Sequence, residues 1–467
     1  MPKYMRCQYC GLLQDEPVGV KSCVRCGGEL EFESAPSSSD TGSYITAQLE
    51  LDQVKAPAGQ NVDRYLLVTI RTPAQVPAEQ SAATESGRPP LSYCAILDVS
   101  GSMNGEKLQY SKEAIRHAVR CLHEGDIFSL VIFSNTVRCI FEPQEFSKNL
   151  QKSIESALSE ITAGGMTALY DGMNLGIEKA LYKKQSSNLA LILSDGQANV
   201  GNTDIEYIGQ HASNARQQGL VLSALGVGMD YNEALMTEIA TQGGGRFYHL
   251  QDAAHIPAYM TGELGEVANL AVKEARLELI LPPGATVMPM SSAYPTKQGE
   301  GKAMVKLGDI PSDIELEVPI RLTLPGQPLS TKLHVEGALE YQSPAGNYLS
   351  HSLNRVTVRF VEHIGFKIQD GVISPVAERV LNQMKASDIL NVSRAFALNP
   401  EKGEQEMAFG LNQMRQYAVK LGEERAEYEA KEVEEKFFAM RSSPSLSKMH
   451  VAAAFVHSRR TKDFSKK

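Results

Sequence analysis

No apolar run in this chain approaches the roughly 20 residues needed to cross a bilayer. The opening segment, MPKYMRCQYCG, lacks the apolar stretch of a secretory signal, so the expected compartment is the cytoplasm. Excess positive charge is missing too: the formal net charge is -9 over 467 residues. Nucleic acid and anionic membranes reward a basic surface, so neither is expected as the main partner. There is no G-x-S-x-G elbow and no Walker loop, which removes two common signatures of hydrolases and nucleotide-binding proteins. A disulfide framework is also absent. Of seven cysteines, four stand in two close pairs near the N-terminus, and Cys94, Cys121 and Cys139 are scattered. That odd count with CxxC pairs reads as metal binding plus reduced thiols, and the scattered three as small core residues.

What is present looks like an ordinary globular chain, with 42% hydrophobic and 22% charged residues. Residues 34–43 (SAPSSSDTGS) are small, polar and turn-rich, and read as a linker spanning 33–43. Alternation at Ile45, Ala47, Leu49 and Leu51, then an apolar stretch through Tyr65–Ile70, predicts strands within 44–78. Between 88 and 264 the pattern changes to strand, helix, strand, helix. The runs at 93–97, 127–133, 189–193 and 220–227 fit strands buried on both faces, with helical stretches around 105–123, 168–184 and 204–218. Such alternation implies a Rossmann-like, doubly wound α/β domain with a mainly parallel sheet. VRCIF (137–141) fits an antiparallel edge strand. From 265 to 364 the period returns to two, as in Ile314, Leu316, Val318, Ile320, Leu322 and Leu324. This predicts antiparallel β, and the orphan strands at 44–78 are expected to join it. The α/β domain would then be inserted in a β-sandwich. Residues 368–456 read as helical, with Ser374 as N-cap before Pro375, and 457–467 as a basic tail.

Three loops carry the chemistry. The strand 93–97 ends in Asp98-Val99-Ser100-Gly101-Ser102, and the strand 189–193 ends in Ser194-Asp195-Gly196. Between them, Gly164-Gly165-Met166-Thr167 places a hydroxyl just before a helix. Ligands of open α/β sheets bind at the carboxyl ends of strands, so these groups are expected at one edge. Two carboxylates and three hydroxyls form an all-oxygen set suited to a hard divalent cation. With few anionic ligands, such an ion keeps enough electrophilicity to accept one more carboxylate. The bland alternative, that these are only helix caps, explains one such loop better than three.

DxSxS, the threonine loop and the strand ending in Asp-Gly resemble the metal-ion-dependent adhesion site of von Willebrand factor A (VWA) domains. The resemblance extends over about 91–264. It implies that Asp98, Ser100, Ser102, Thr167 and Asp195 hold Mg²⁺, or Mn²⁺ or Ca²⁺, directly or through water. It also implies binding of a partner protein's Asp or Glu. Cys7-x2-Cys10 and Cys23-x2-Cys26 resemble the two knuckles of a zinc ribbon over 1–32, with Zn²⁺ in a structural role.

The resulting expectation is a non-catalytic interaction scaffold, with no enzyme activity. Three alternatives stay open, the least supported being a hydrolytic role for the Mg²⁺ site, for which the sequence offers no nameable general base. Another is an adaptor for an AAA+ ATPase, as in metal-chelatase or MoxR-like systems. The third is a coat-like, self-assembling membrane-trafficking scaffold, from a loose likeness in domain order to COPII inner-coat subunits. His249 and His255 lack acidic partners at ligand spacing and are expected on the surface or at helix caps. The Met407, Leu411, Met414, Ala418, Leu421 stripe reads as helix-packing core.

Overall fold

The computed structural model describes residues 4–6, 13–15, 43–81, 89–229 and 231–459. The proposed zinc ligands Cys7, Cys10, Cys23 and Cys26 and residues 460–467 of the basic tail lie outside the described residues. Two short N-terminal strands, β1 (Tyr4–Arg6) and β2 (Leu13–Asp15), pair antiparallel. After them come β3 (Thr46–Leu51), β4 (Lys55–Pro57) and β5 (Val62–Arg71).

The α/β unit then runs β6 (Leu91–Asp98), α1 (Glu106–Arg120), β7 (Ile127–Phe133), β8 (Val137–Glu145), α2 (Lys148–Glu160), α3 (Leu169–Tyr182) and β9 (Ser187–Ser194). It continues with α4 (Ile205–Gln217), β10 (Val221–Val227), α5 (Glu233–Gln242), β11 (Gly244–Leu250) and α6 (Ile256–Ala268). Its sheet has the order β11-β10-β9-β6-β7-β8. Every neighbour is parallel except β7 and β8. All residues of β6, β7 and β9 are buried, because helices cover both faces and no side of these strands meets water. Alternate residues divide between the two layers. Cys94, Ile96 and Ile192 pack with Leu169 and Met173 of α3, whereas Tyr93, Leu97 and Leu191 pack on the side of Ile115 of α1. The thiol of Cys94 is fully buried; those of Cys121 and Cys139 are only partly so.

Seven further strands follow: β12 (Leu270–Ile280), β13 (Thr286–Pro289), β14 (Thr296–Gly299), β15 (Lys302–Pro311), β16 (Glu315–Leu324), β17 (Lys332–Gln342) and β18 (Tyr348–Val361). They form two sheets, β14-β15-β12-β17-β18-β4 and β13-β16-β5-β3. Both sheets therefore recruit strands from before the α/β unit. β5 pairs with β16 over its full length, from Val62 opposite Leu324 to Arg71 opposite Glu315. One apolar core joins the two sheets and includes Leu66, Val68, Leu277, Val318, Leu339 and Val358. β4 runs parallel to β18, so the larger sheet is mixed.

The described residues close with four α-helices, α7 (Ser374–Leu398), α8 (Pro400–Ala418), α9 (Glu423–Ser442) and α10 (Pro444–Arg459). α7 starts one residue earlier than its sequence suggests. Ile373 takes the cap position, Ser374 is already helical, and no side chain caps the end. Met414 and Ala418 of the apolar stripe are buried against the other helices, with Met407, Leu411 and Leu421 half-buried beside them. Arg379 of α7 fastens the helices to the smaller sheet. It donates to Glu317 Oε1 at 2.5 Å, Glu50 Oε2 at 2.8 Å and Thr69 Oγ1 at 2.7 Å. No described helix is long and apolar enough to cross a membrane.

Because β5 draws its hydrogen bonds from β16, residues 62–71 should become protected from hydrogen exchange together with 315–324, as one cooperative unit. Exchange measured by mass spectrometry in mild denaturant checks this. Release of 62–71 well before 315–324 would contradict the shared sheet.

Candidate metal centre

The strand order reverses at β6, with β7 on one side and β9 on the other. That reversal opens a crevice at the carboxyl ends of these strands. Leu97 pairs with Leu193, so the next residues, Asp98 and Ser194, reach the crevice side by side. Ser194 Oγ donates to Asp98 Oδ2 at 2.5 Å, and the Ser100 amide donates to Asp98 Oδ1 at 2.8 Å. The Gly196 amide donates in turn to Ser194 Oγ at 2.8 Å, which turns the chain just after Asp195. Both carboxylates, Asp98 and Asp195, are completely buried. Ser100 and Thr167 are buried, whereas Ser102 is exposed and its hydroxyl lies 3.1 Å from that of Ser100.

Backbone hydrogen bonds stitch the three loops together. The Gly164 amide donates to Val99 O at 2.8 Å, and the Gly101 amide to Gly165 O at 2.9 Å. Asn199 joins the threonine loop to the Asp195 loop. Its Oδ1 accepts from the Thr167 amide at 2.8 Å, and its own amide donates to Thr167 O at 3.1 Å. Gly165 is required twice over: its φ is +89°, and a Cβ there would lie 2.2 Å from Asn135 Oδ1. That Asn135 oxygen also accepts from the Met166 amide. The Asn232 amide reaches Asp195 O at 3.2 Å from the loop before α5.

The electrostatics are unbalanced toward negative charge. Burial pushes the Asp98 carboxyl up to about 6, opposed by hydrogen bonds from Ser194 and Ser100 and reinforced by the charge of Asp195. Asp195 Oδ1 is buried and has no hydrogen-bond partner, while its Oδ2 lies 3.3 Å from Lys107 Nζ. A buried carboxylate oxygen without a donor costs free energy unless a cation reaches it. Among the described residues, no three His, Cys, Asp or Glu side chains converge as a metal site. A cation at this edge would therefore be held by two carboxylates and neutral hydroxyls, not by a closed acidic cage. Met166, next to Thr167, and Met229, next to Gly228 whose Cα faces Lys107, are 48% and 36% exposed.

Residues 94–261 match the family model for the von Willebrand factor type A domain. The chain carries a von Willebrand factor type A domain. The match begins within β6 and ends within α6, so it encloses all five oxygen-bearing residues. Domains of this kind commonly mediate protein–protein interaction and often bind a divalent metal. The uncharacterized protein sll0103 of Synechocystis is 27% identical over 310 residues, covering 62% of this chain and 71% of that protein. The uncharacterized protein YfbK of Escherichia coli is 26% identical over 283 residues, covering 59% of this chain and 48% of its own length. This chain thus spans only about half of that second relative. Among solved structures, a von Willebrand factor type A protein from Catenulispora acidiphila superposes with a TM-score of 0.61 over 90% of this chain and 98% of its own. Its identity is 16%, so the likeness is one of fold.

Four contributors to the VWA crevice were not singled out from sequence: Asn135, Ser194, Asn199 and Lys107. Ser194 precedes Asp195 directly, and its position at a strand end was the available signal. The expectation for His249 needs correction. It is neither a surface residue nor a helix cap, but a half-buried strand residue whose Nδ1 pairs with Tyr231 Oη at 2.8 Å. His255 does occupy the cap position of α6, through its backbone alone.

Burial, with the Lys448 ammonium adding to it, pushes the His249 imidazole down to about 4, against an opposing pull from Glu233. The folded protein keeps this histidine neutral, while the unfolded chain protonates it near 6.5. Its contribution to stability is therefore full above about pH 6.5 and lost as pH falls toward 4, by roughly 2–3 kcal/mol. In urea unfolding, His249→Gln should flatten the decline of stability across that window. An acid slope identical to that of the unmodified protein would contradict this assignment.

Proposed function

We propose that this protein is a non-catalytic interaction scaffold whose VWA domain captures an acidic side chain of a partner protein through a divalent ion. One observation carries the reading. Two fully buried carboxylates stand at neighbouring strand ends, and one of their oxygens lacks any hydrogen-bond donor. Asp98 and Asp195 would supply the anionic charge, and the hydroxyls of Ser100, Ser102 and Thr167 the neutral oxygens. Mg²⁺ fits this set best, since it tolerates few charged ligands and keeps waters; Mn²⁺ and Ca²⁺ share its preference for oxygen. When bound, the ion offers an exchangeable coordination position to an incoming carboxylate. The exposed Met166 and Met229 beside the crevice suit a partner segment in which that carboxylate is flanked by apolar side chains, because methionine adapts to irregular apolar shapes. The four N-terminal cysteines belong to the same reading as a zinc-bound second contact.

Affinity capture in Mg²⁺ and in EDTA, read by mass spectrometry, tests the metal route. A partner held only in Mg²⁺ should be lost from Asp98→Ala, whose circular dichroism should stay unchanged. Equal capture by Asp98→Ala would remove the proposed site. For the N-terminal element, elemental analysis should find one zinc per chain, lost in Cys23→Ser. A protein that purifies without zinc would count against the ribbon.

A further inference from the structure

The first turn of α1 holds a lysine where a lysine is unfavourable. Helix N-termini carry partial positive charge and attract acids, not bases. Lys107 is the second residue of α1, and no side chain caps that helix. Its ammonium turns instead into the crevice, where Nζ lies 3.3 Å from Asp195 Oδ2. The lysine side chain is only 19% exposed and its carboxylate partner 0%. The backbone just past β10 closes over the stem. Gly228 has φ +81°, and a Cβ there would meet Lys107 Cε at 2.7 Å. A side chain larger than hydrogen at that turn would push the lysine away from Asp195. Three features therefore converge on one position: a cation placed against a helix dipole, a glycine cradle for its stem, and a buried carboxylate at its tip.

We propose that Lys107 is a resident competitor for the divalent ion, a fixed positive charge that sets how tightly the centre holds its metal. The inference rests on the metal-centre reading given above. An ion ligated through Asp195 would lie within a few ångströms of the lysine ammonium. Repulsion between a single and a double positive charge at that distance is worth enough to change affinity about tenfold or more at surface-like dielectric. The same ammonium partly offsets the Asp195 charge when no ion is bound. Lys107 would thus lower metal affinity and steady the crevice in the ion's absence, which makes loading sensitive to the free metal concentration. A purely structural lysine has the opposite signature. If its task were to aim Asp195 at the metal, removing it would weaken metal binding.

The test is calorimetric titration of the full chain with MnCl₂, together with thermal unfolding in EDTA, for the unmodified protein, Lys107→Met and Lys107→Arg. Lys107→Met should bind Mn²⁺ about tenfold tighter or more, and should melt at a lower temperature in EDTA. Lys107→Arg, which keeps the charge, should stay near the unmodified affinity. Lys107→Gln replaces Lys107→Met should the latter fail to fold. An unchanged or weakened Mn²⁺ affinity on removal of the charge overturns the competitor role while leaving the metal centre intact. Binding by Lys107→Met alone, with none by the unmodified protein, supports it in its strongest form. No binding by any of the proteins overturns the metal-centre reading and this inference together.

Discussion

Two carboxylates buried at one edge of a sheet are the constraint around which this molecule is arranged. Ionised groups away from water cost several kcal/mol each unless paired. Asp98 answers that cost with hydrogen bonds from Ser194 and the Ser100 amide, and even so its carboxyl is driven up to about 6. Asp195 has Lys107 on one oxygen and no partner on the other. Neither the hydroxyls nor the loop amides cancel the remaining charge. The crevice is thus chemically asymmetric, negative at its base, ringed by hydroxyls and bordered by apolar methionines.

The rest of the fold keeps those groups in place. The loops behind the carboxylates are tied to one another by main-chain hydrogen bonds, which leave little freedom for independent movement. The C-terminal helices reach the same loops from behind. Ser447 Oγ and Lys448 Nζ of α10 donate to Glu233 at 2.8 and 3.0 Å, and Lys448 lies 4.7 Å above the Tyr231 ring. Glu233 is the first residue of α5, next to the Asn232 whose amide holds Asp195 O. At their other end, these helices are anchored through Arg379 to Glu317, a carboxylate buried in the smaller sheet. Removing one partner of such a buried pair costs roughly 3–5 kcal/mol, because the other charge is left uncompensated. The C-terminal helices therefore join the smaller sheet, through Arg379, to the start of α5 beside Asp195, through Ser447 and Lys448.

Much of this was legible in the residue order, and the physical reason is burial. Strands β6, β7 and β9 are covered on both faces, so they read as unbroken apolar runs whose ends locate Asp98 and Asp195. The antiparallel character of β8 was visible from its tight turn. Helices α2, α5 and α6 were harder to separate. α5 is buried on nearly all sides, so EALMTEIATQ shows little amphipathic contrast. The parallel pairing of β4 with β18 joins residues about 300 positions apart, and no local pattern encodes it. The site was read as its oxygen set, Asp98, Ser100, Ser102, Thr167 and Asp195. The groups that orient this set were not. Asn135, Ser194, Asn199 and Lys107 act through distances that only the folded loops create.

Capture of an acidic side chain at this crevice requires a divalent cation seated between β6 and β9. Crystals grown with Mn²⁺ and measured at its absorption edge address this directly. A single strong anomalous peak is expected in the crevice, within coordination distance of Asp98 or Asp195 and of at least one of the three hydroxyls. A crevice with no anomalous density at saturating Mn²⁺, in crystals whose loops keep the hydrogen bonds described above, would contradict it.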